Sequence, residues 1–263
     1  MLDINRAAWN RIAAMNKGRT ALPCYGPLAP TEDELGLIGD VRGKRVLELG
    51  CGSGHSLAWL ANRGAAELWG TDLSEKQIEI ARQMLAERGV TARLMQGAME
   101  TPAGLPENYY DLVVSIYALG WTTDLAATLG LVTRYLKVGG AFVFSWEHPA
   151  HACLEKTAAG FVIKRSYSDE GSIEMMRWKD VPIVMHARKL STFINGLIDA
   201  GLTIERLIEG DMREENEADF PHRYYSKERA RMMPTTLIVK ARKLDERITE
   251  RKIAEAMQQE RPL

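Results

Sequence analysis

Along the chain, short apolar runs alternate with stretches whose apolar residues recur every three to four positions, the signature of strands alternating with helices. Residues 3–16 predict a helix that Asp3 can cap, with Ile4, Ala8, Ile12 and Met15 on one stripe. Gly18, Pro23, Gly26, Pro27 and Pro30 break regularity over 18–30. Thr31 followed by Glu34 is a capping-box pattern, which opens a short helix over 31–38. Val46–Leu49 then predicts a strand, His55–Asn62 a helix, and Ala66–Thr71 a second strand ending in Asp72. Ser74 caps a helix over 75–88 with Ile78, Ala81 and Met84 or Leu85 on its inner face. Strands follow over 92–96, 111–116 and 141–146. Between the last two lie a helix over 124–136, with Leu125, Leu129, Val132 and Leu136 on one face, and the turn Lys137-Val138-Gly139-Gly140. A helix over 190–200, apolar at Leu190, Phe193, Ile194, Leu197 and Ile198, precedes strands over 203–208 and 236–241.

Two long connections interrupt this rhythm. Residues 147–188 carry extra strand-like runs around Phe161-Val162-Ile163 and Val181–Met185, read as a small inserted cap, and 210–234 stand where a tight hairpin would suffice. Long connections in a compact domain tend to be functional lids. The predicted organisation is a helical lid over 1–39, a core over 40–146 and 189–242, the cap over 147–188, and a charge-rich helical tail over 243–263.

The chemistry concentrates between Val46 and Asp72. Gly50, Gly52 and Gly54 lie at every second position between a strand and a helix. Such a turn needs backbone that tolerates positive φ, and main chain without Cβ lets a ligand come close. Asp72, closing the next strand, is placed to accept hydrogen bonds from a ribose, with Leu73 beside it and Gln77 facing the ligand end of the following helix. The order is the βαβ unit of a doubly wound α/β sheet with a nucleoside site at the carboxyl ends of its strands. A dinucleotide loop would read G-x-G-x-x-G or G-x-G-x-x-A, but its last position falls on His55 or Leu57.

The pattern Glu48-x-Gly50-x-Gly52-x-Gly54, with Asp72 one strand on, resembles motif I of the class I S-adenosylmethionine-dependent methyltransferases, and the chain is similar to their type 11 or UbiE-like small-molecule branch. Tyr109-Tyr110-Asp111 with the apolar run after it resembles motif II, and the Leu136–Gly140 turn with its strand resembles motif III. The resemblance implies a seven-stranded, mostly parallel sheet in the order 3-2-1-4-5-7-6, strand 7 antiparallel, with helices on both faces. It implies S-adenosyl-L-methionine as cofactor, held by Glu48, Gly50, Cys51, Gly52, Gly54, Asp72, Leu73 and Gln77. Where relatives carry an acid for the adenine amino group, this chain has Ala98, so adenine falls to the backbone of Ala98 and Met99 or to Glu100. The resemblance further implies Tyr25 as a lid residue near the sulfonium and Ser115 at the methionine part, with Tyr117 and Trp121 walling the transfer chamber.

A general base helps when the acceptor is a hydroxyl or an ammonium. Among His148, His151 and His186, His148 directly follows a strand at the ligand edge and is preferred, His186 comes next, and Tyr117 is an orienting hydroxyl. No clustered carboxylates or H-x-x-x-H pattern suggests a metal. Trp121, Trp146, Trp178, Tyr109, Tyr117 and Tyr167, spread over the predicted rim, suit an aromatic or apolar small molecule.

Composition narrows the partners. The 263 residues are 46% hydrophobic, and 34 Lys plus Arg against 35 Asp plus Glu give no electrostatic case for nucleic acid. No apolar run nears the ~20 residues of a membrane span. Cys24, Cys51 and Cys153 are too scattered for a disulfide framework, which points to a reducing cytoplasm. A homodimer stays an open option. Three rivals compete with a small-molecule methyltransferase: a non-catalytic module binding S-adenosylmethionine or S-adenosylhomocysteine, an NAD-dependent oxidoreductase, and a methyltransferase acting on RNA or protein.

Overall fold

The computed structural model describes residues 1–15, 18, 20–158, 160–177, 181–210 and 225–245. Five strands run parallel: β1 (Arg45–Leu49), β2 (Glu67–Asp72), β3 (Arg93–Gln96), β4 (Tyr110–Ile116) and β5 (Leu136–Glu147). Two short hairpins follow, β6 (Leu154–Thr157) with β7 (Gly160–Ile163) and β8 (Gly171–Arg177) with β9 (Val181–Ala187). The main sheet closes with β10 (Leu202–Glu209) and β11 (Thr236–Lys243), the latter antiparallel to both neighbours. Its order, β3-β2-β1-β4-β5-β11-β10, is the predicted one once the two hairpins are set aside.

Because both faces of the sheet are covered, its central strands are apolar almost throughout. Alternate side chains divide between two cores. Leu47, Leu49, Val113, Phe142 and Phe144 pack toward α5 (Leu125–Tyr135) and α6 (Leu190–Asp199). Val46, Leu112, Val114 and Val143 pack toward α3 (His55–Asn62) and α4 (Glu75–Glu87).

The N-terminal segment differs from expectation. The first helix, α1 (Leu2–Ile12), gives way to a 3-10 turn over Ala13–Met15, and Asp3 lies in its first turn, paired with Arg6 at 2.9 Å, instead of capping it. Ile4 and Met15 are exposed, while Asn5, Ala8 and Ile12 are buried. Asn5 explains the rotation. Its amide donates to the Val184 carbonyl and accepts the Val184 N–H, both at 2.8 Å, so it supplies strand-like hydrogen bonds to β9. Ala8 and Ile12 then meet Val181 and Ile183. Asn5→Ala strands both Val184 groups in a buried seam and is expected to lower stability by roughly 1–3 kcal/mol, read as a fall in the thermal midpoint. An unchanged midpoint would mean the seam carries no load.

The helix expected over 31–38 is shorter, α2 (Glu32–Leu35), opened by the Thr31/Glu34 capping box and ended by Gly36 in the left-handed region. Glu32 is buried and gathers the following loop: its carboxylate accepts the N–H groups of Leu37 (3.0 Å) and Ile38 (2.8 Å) and the Tyr25 hydroxyl (2.6 Å). β5 begins at Leu136, five residues before the expected strand, so the predicted Lys137–Gly140 turn is bent strand. Of the 210–234 connection, Gly210 and residues 225–234 are described, including α7 (Lys227–Ala230) capped by Ser226. The predicted tail helix lies outside the described residues beyond Asp245.

Candidate active site

The turn after β1 is built as the glycine spacing requires. Gly50 and Gly52 adopt φ of +71° and +51°. The N–H groups of Gly50 and Cys51 donate to the Thr71 carbonyl at 2.8 and 2.9 Å, tying the turn to the end of β2. Asp72 completes the tie. One carboxylate oxygen accepts the Gly52 N–H at 2.9 Å, and the other accepts the Ser74 N–H at 2.8 Å. Burial pushes the Asp72 carboxyl up to about 6 against those two hydrogen bonds.

Glu48 is almost fully buried one residue short of the end of β1. Burial pushes its carboxyl up to about 8, opposed by a hydrogen bond with Ser56 and reinforced by Asp72. Its Oε2 has no hydrogen-bond partner among the described residues, nor does Oε1 of the buried Gln77. Both residues help form the wall of a cavity of about 120 Å3, open to solvent.

Of the residues expected to hold a cofactor, Glu48, Gly50, Cys51, Gly52, Asp72, Leu73, Gln77, Ala98 and Met99 line this cavity. Tyr117 lines it too, in the left-handed region at φ +54°, its hydroxyl donating to Tyr225 Oη at 3.1 Å. Backbone strain of this kind is worth roughly 1–3 kcal/mol and is concentrated at functional positions.

Five expected residues, Tyr25, Gly54, Ser115, His148 and His186, are not brought to the cavity wall, each for a visible reason. Tyr25 is completely buried with its hydroxyl on Glu32, so it closes the loop under the core instead of covering a cofactor. Gly54 starts α3 and faces its packing partner: a Cβ there would meet Ala81 at 3.2 Å. The buried Ser115 hydroxyl donates to the Leu49 carbonyl at 3.0 Å, and Ile116 takes the place at the wall. His148 is buried with both ring nitrogens engaged: Nδ1 accepts the Ala150 N–H at 3.3 Å and Nε2 meets Glu209 at 2.9 Å. That pattern assigns the proton to Nε2 and leaves no lone pair facing a substrate.

His186 stands on β9 at a second, smaller cavity, held below its ordinary value by burial and by Arg188. His151 is fully buried, with Nδ1 3.4 Å from Glu147 and its ring stacked on Tyr225. Glu100 also lines the cofactor cavity; its Oε1 accepts the Thr123 N–H at 2.9 Å and hydroxyl at 2.6 Å. Tyr109 begins the strand end opposite the site and donates to Glu67 at 2.8 Å, so it is not a rim residue. Tyr167 sits on the cap, accepting the Leu190 N–H at 2.9 Å. Trp178 lies outside the described residues.

Sequence reasoning missed the roof. Asn5 and Trp9 of α1 line the cavity, and Trp9 meets Trp121 edge-on at 5.2 Å. Ser53 and His55, 3.1 Å apart at the start of α3, also line it.

Residues 46–140 match a family model described as a methyltransferase domain. An uncharacterized protein of Haemophilus influenzae is 31% identical over 224 residues, covering 80% of this chain and 85% of that one. The crystal structure of an S-adenosylmethionine dependent methyltransferase from Mesorhizobium loti is 29% identical, covers 79% of this chain and 94% of that one, and superposes with a TM-score of 0.68. The chain belongs to the class I S-adenosylmethionine-dependent methyltransferases. A ubiquinone biosynthesis O-methyltransferase from Alkalilimnicola ehrlichii is 32% identical, but the match spans only 41% of this methyltransferase and 43% of that protein.

S-adenosylmethionine is the cofactor of this methyltransferase, and the residues present fit it. The orphaned oxygen on Glu48 suits an ammonium donor, and the turn at Gly52 is an open cradle whose added Cβ would find only Gln77 Oε1, at 4.0 Å. Among the described residues no helix is long and apolar enough to cross a membrane.

Proposed function

We propose that this methyltransferase moves the cofactor's methyl group to a small-molecule nucleophile held in the chamber between Trp9, Tyr117 and Trp121. The observation that carries the reading is the pair of carboxyls on one cavity: Glu48 with an unpartnered buried oxygen, and Asp72 at the tip of the next strand. Glu48 would bind the ammonium of the cofactor's amino-acid part. Asp72 would accept from the ribose hydroxyls while it keeps the Gly52 and Ser74 N–H groups. Adenine would be read by the main chain of Ala98 and Met99, or by Glu100, which lines the same cavity and has one oxygen on Thr123.

The bound cofactor supplies a methyl group already activated by a sulfonium. The protein's part is to exclude water and to hold the acceptor for in-line displacement, with reacting atoms ~3–3.5 Å apart. Trp9, Tyr117 and Trp121 form an aromatic wall suited to an aromatic or apolar acceptor. Tyr117 would offer an orienting hydroxyl there, whereas the two hydrogen bonds that His148 already makes argue against it as the base. The reading includes a reducing, cytoplasmic setting, consistent with three free thiols.

Two measurements test it. Asp72→Ala is expected to weaken S-adenosylhomocysteine binding by ~1.5–3 kcal/mol through lost charge-assisted hydrogen bonds, read by isothermal titration. Unchanged affinity would mean that the ribose lies elsewhere. A screen of small O-, N-, S- and C-nucleophiles with methyl-labelled cofactor should yield label in a small product. Transfer confined to RNA or protein would refute a small-molecule acceptor.

A further inference from the structure

The methionine part of S-adenosylmethionine ends in a zwitterion. Glu48 accounts for its ammonium, and the carboxylate on the same carbon needs a partner of its own. Because one carbon carries both groups, that partner must belong to the stretch of wall next to Glu48. The stretch is the start of α3. Glu48 is hydrogen-bonded to Ser56, in the first turn of that helix. Ser56 Oγ also accepts the Leu22 N–H at 3.2 Å, which anchors the segment whose Thr20 and Ala21 line the cavity.

Elsewhere the wall repels an anion. Among the described lining residues the acids are Glu48, Asp72 and Glu100, and His55 is the one side chain able to carry a positive charge. A further carboxylate brought into that field needs hydrogen-bond donors. The start of α3 supplies them. Its cap, Gly54, offers no side chain to the first-turn N–H groups, which stand at the positive end of the helix. His55 is the first residue of α3, with Nδ1 3.1 Å from Ser53 Oγ. Gly18 lies so close against its ring that an added Cβ would stand 2.4 Å from it, so the ring is fixed in the wall. Burial and the nearby Arg88 hold His55 below its ordinary value, so it is neutral at neutral pH. A neutral ring that accepts the Ser53 hydroxyl at Nδ1 carries its proton on Nε2, as a donor. The unpartnered Oε2 of the buried Glu48, on the same cavity, shows independently that this wall is built for a charged ligand.

We propose that His55, together with the first-turn N–H groups of α3, binds the carboxylate of the cofactor's amino-acid part while Glu48 takes the ammonium. Two opposite charges on one carbon, each met by its own side chain, fix the rotation of the methionine part. The sulfonium is thereby aimed at the chamber between Trp9, Tyr117 and Trp121, which is the orientation that in-line transfer needs. The assignment rests on the place proposed above for the ammonium, at Glu48.

The test is isothermal titration of the full chain with three ligands. They are S-adenosylhomocysteine, its aminopropyl analogue, which lacks the carboxylate, and its carboxypropyl analogue, which lacks the ammonium. The wild type should bind S-adenosylhomocysteine about tenfold or more tightly than the aminopropyl analogue, the size of a hydrogen bond to a charged group. His55→Ala should cut that preference to about threefold or less, with affinity for the aminopropyl analogue within about twofold of wild type, because only the ligand that carries the carboxylate loses a donor. His55→Gln keeps an N–H and should retain most of the preference. A wild type without preference, or an undiminished preference in His55→Ala, overturns the assignment. So does equal loss in the alanine and glutamine variants, which would mean that the ring fills space and donates nothing. A fall in affinity for both ligands at an unchanged ratio is the mark of a purely structural role and overturns it too. A carboxypropyl analogue that binds wild type as tightly as S-adenosylhomocysteine would instead overturn the ammonium's place at Glu48, so the two failures are told apart.

Discussion

Gly50→Ala is expected to lower the unfolding free energy by roughly 2–5 kcal/mol and to cut S-adenosylhomocysteine affinity about tenfold or more. Two costs add. A residue with a Cβ pays ~1–2 kcal/mol to hold the left-handed conformation that Gly50 adopts. The new methyl would also stand 2.4 Å from the Ala118 Cβ, a short, stiff neighbour, so main chain must move, and such overpacking costs ~1–3 kcal/mol. Ala118 follows Tyr117, so the displacement runs into the chamber wall. Gly52→Ala is the control. It meets the same conformational strain, but its added carbon finds its nearest neighbour only at 4.0 Å, so its stability loss should be the smaller of the two. Chemical denaturation without ligand and titration with S-adenosylhomocysteine read both effects. Equal, small losses at the two positions would mean that the turn does not pack against Ala118, just beyond β4.

Glu48→Gln is expected to stabilise the ligand-free protein at high pH and to weaken cofactor binding there. In the folded protein the Glu48 carboxyl sits at about 8, above the ordinary 4.5. The native state therefore holds a proton that the unfolded chain gives up in that window. The stability tied to this proton is fully present below about pH 4.5 and is lost as pH rises toward about 8. Glutamine cannot titrate, so the stability gap between variant and wild type should widen from about pH 5 to about pH 8 and reach a few kcal/mol. Binding has the opposite sign. An ammonium against the carboxyl favours its ionised form, so the wild type should release a proton on binding near neutral pH and bind more tightly as pH rises toward about 8. The glutamine variant should lack that increment and bind ~1.5–3 kcal/mol more weakly at the upper end. Asp72, at about 6, titrates in both proteins, and because the two carboxyls repel, part of the gap is the relief that Asp72 gains in the variant. A stability gap that does not change with pH would show that Glu48 is not buried in the free protein.

What could be read from the chain was what local rules control. The glycine turn, Asp72 and the strand–helix alternation are consecutive in sequence, and their residue types are dictated by backbone conformation. The main sheet followed, its order supplied by family resemblance. The errors came from side chains whose partners are far along the chain. His148 does follow β5, but its N–H donates to the Thr235 carbonyl and its ring meets Glu209, and neither pairing is visible in a linear pattern. Tyr25 has the aromatic character expected of a lid, yet a buried carboxylate at Glu32 draws its hydroxyl inward. On α1, the face Asn5, Ala8, Trp9 and Ile12 has helical spacing as good as the stripe chosen from the sequence. Asn5 hid it, because a buried amide that completes a strand edge looks like a solvent residue until the strand is seen.

The most direct test is the crystal structure of the complex with S-adenosylhomocysteine. The ribose hydroxyls should lie within about 3 Å of the Asp72 carboxylate, the ammonium should meet Oε2 of Glu48, and the adenine edge should face the main chain of Ala98 and Met99. A ligand bound with its ribose away from Asp72, or with Glu48 still unpartnered, would contradict the account.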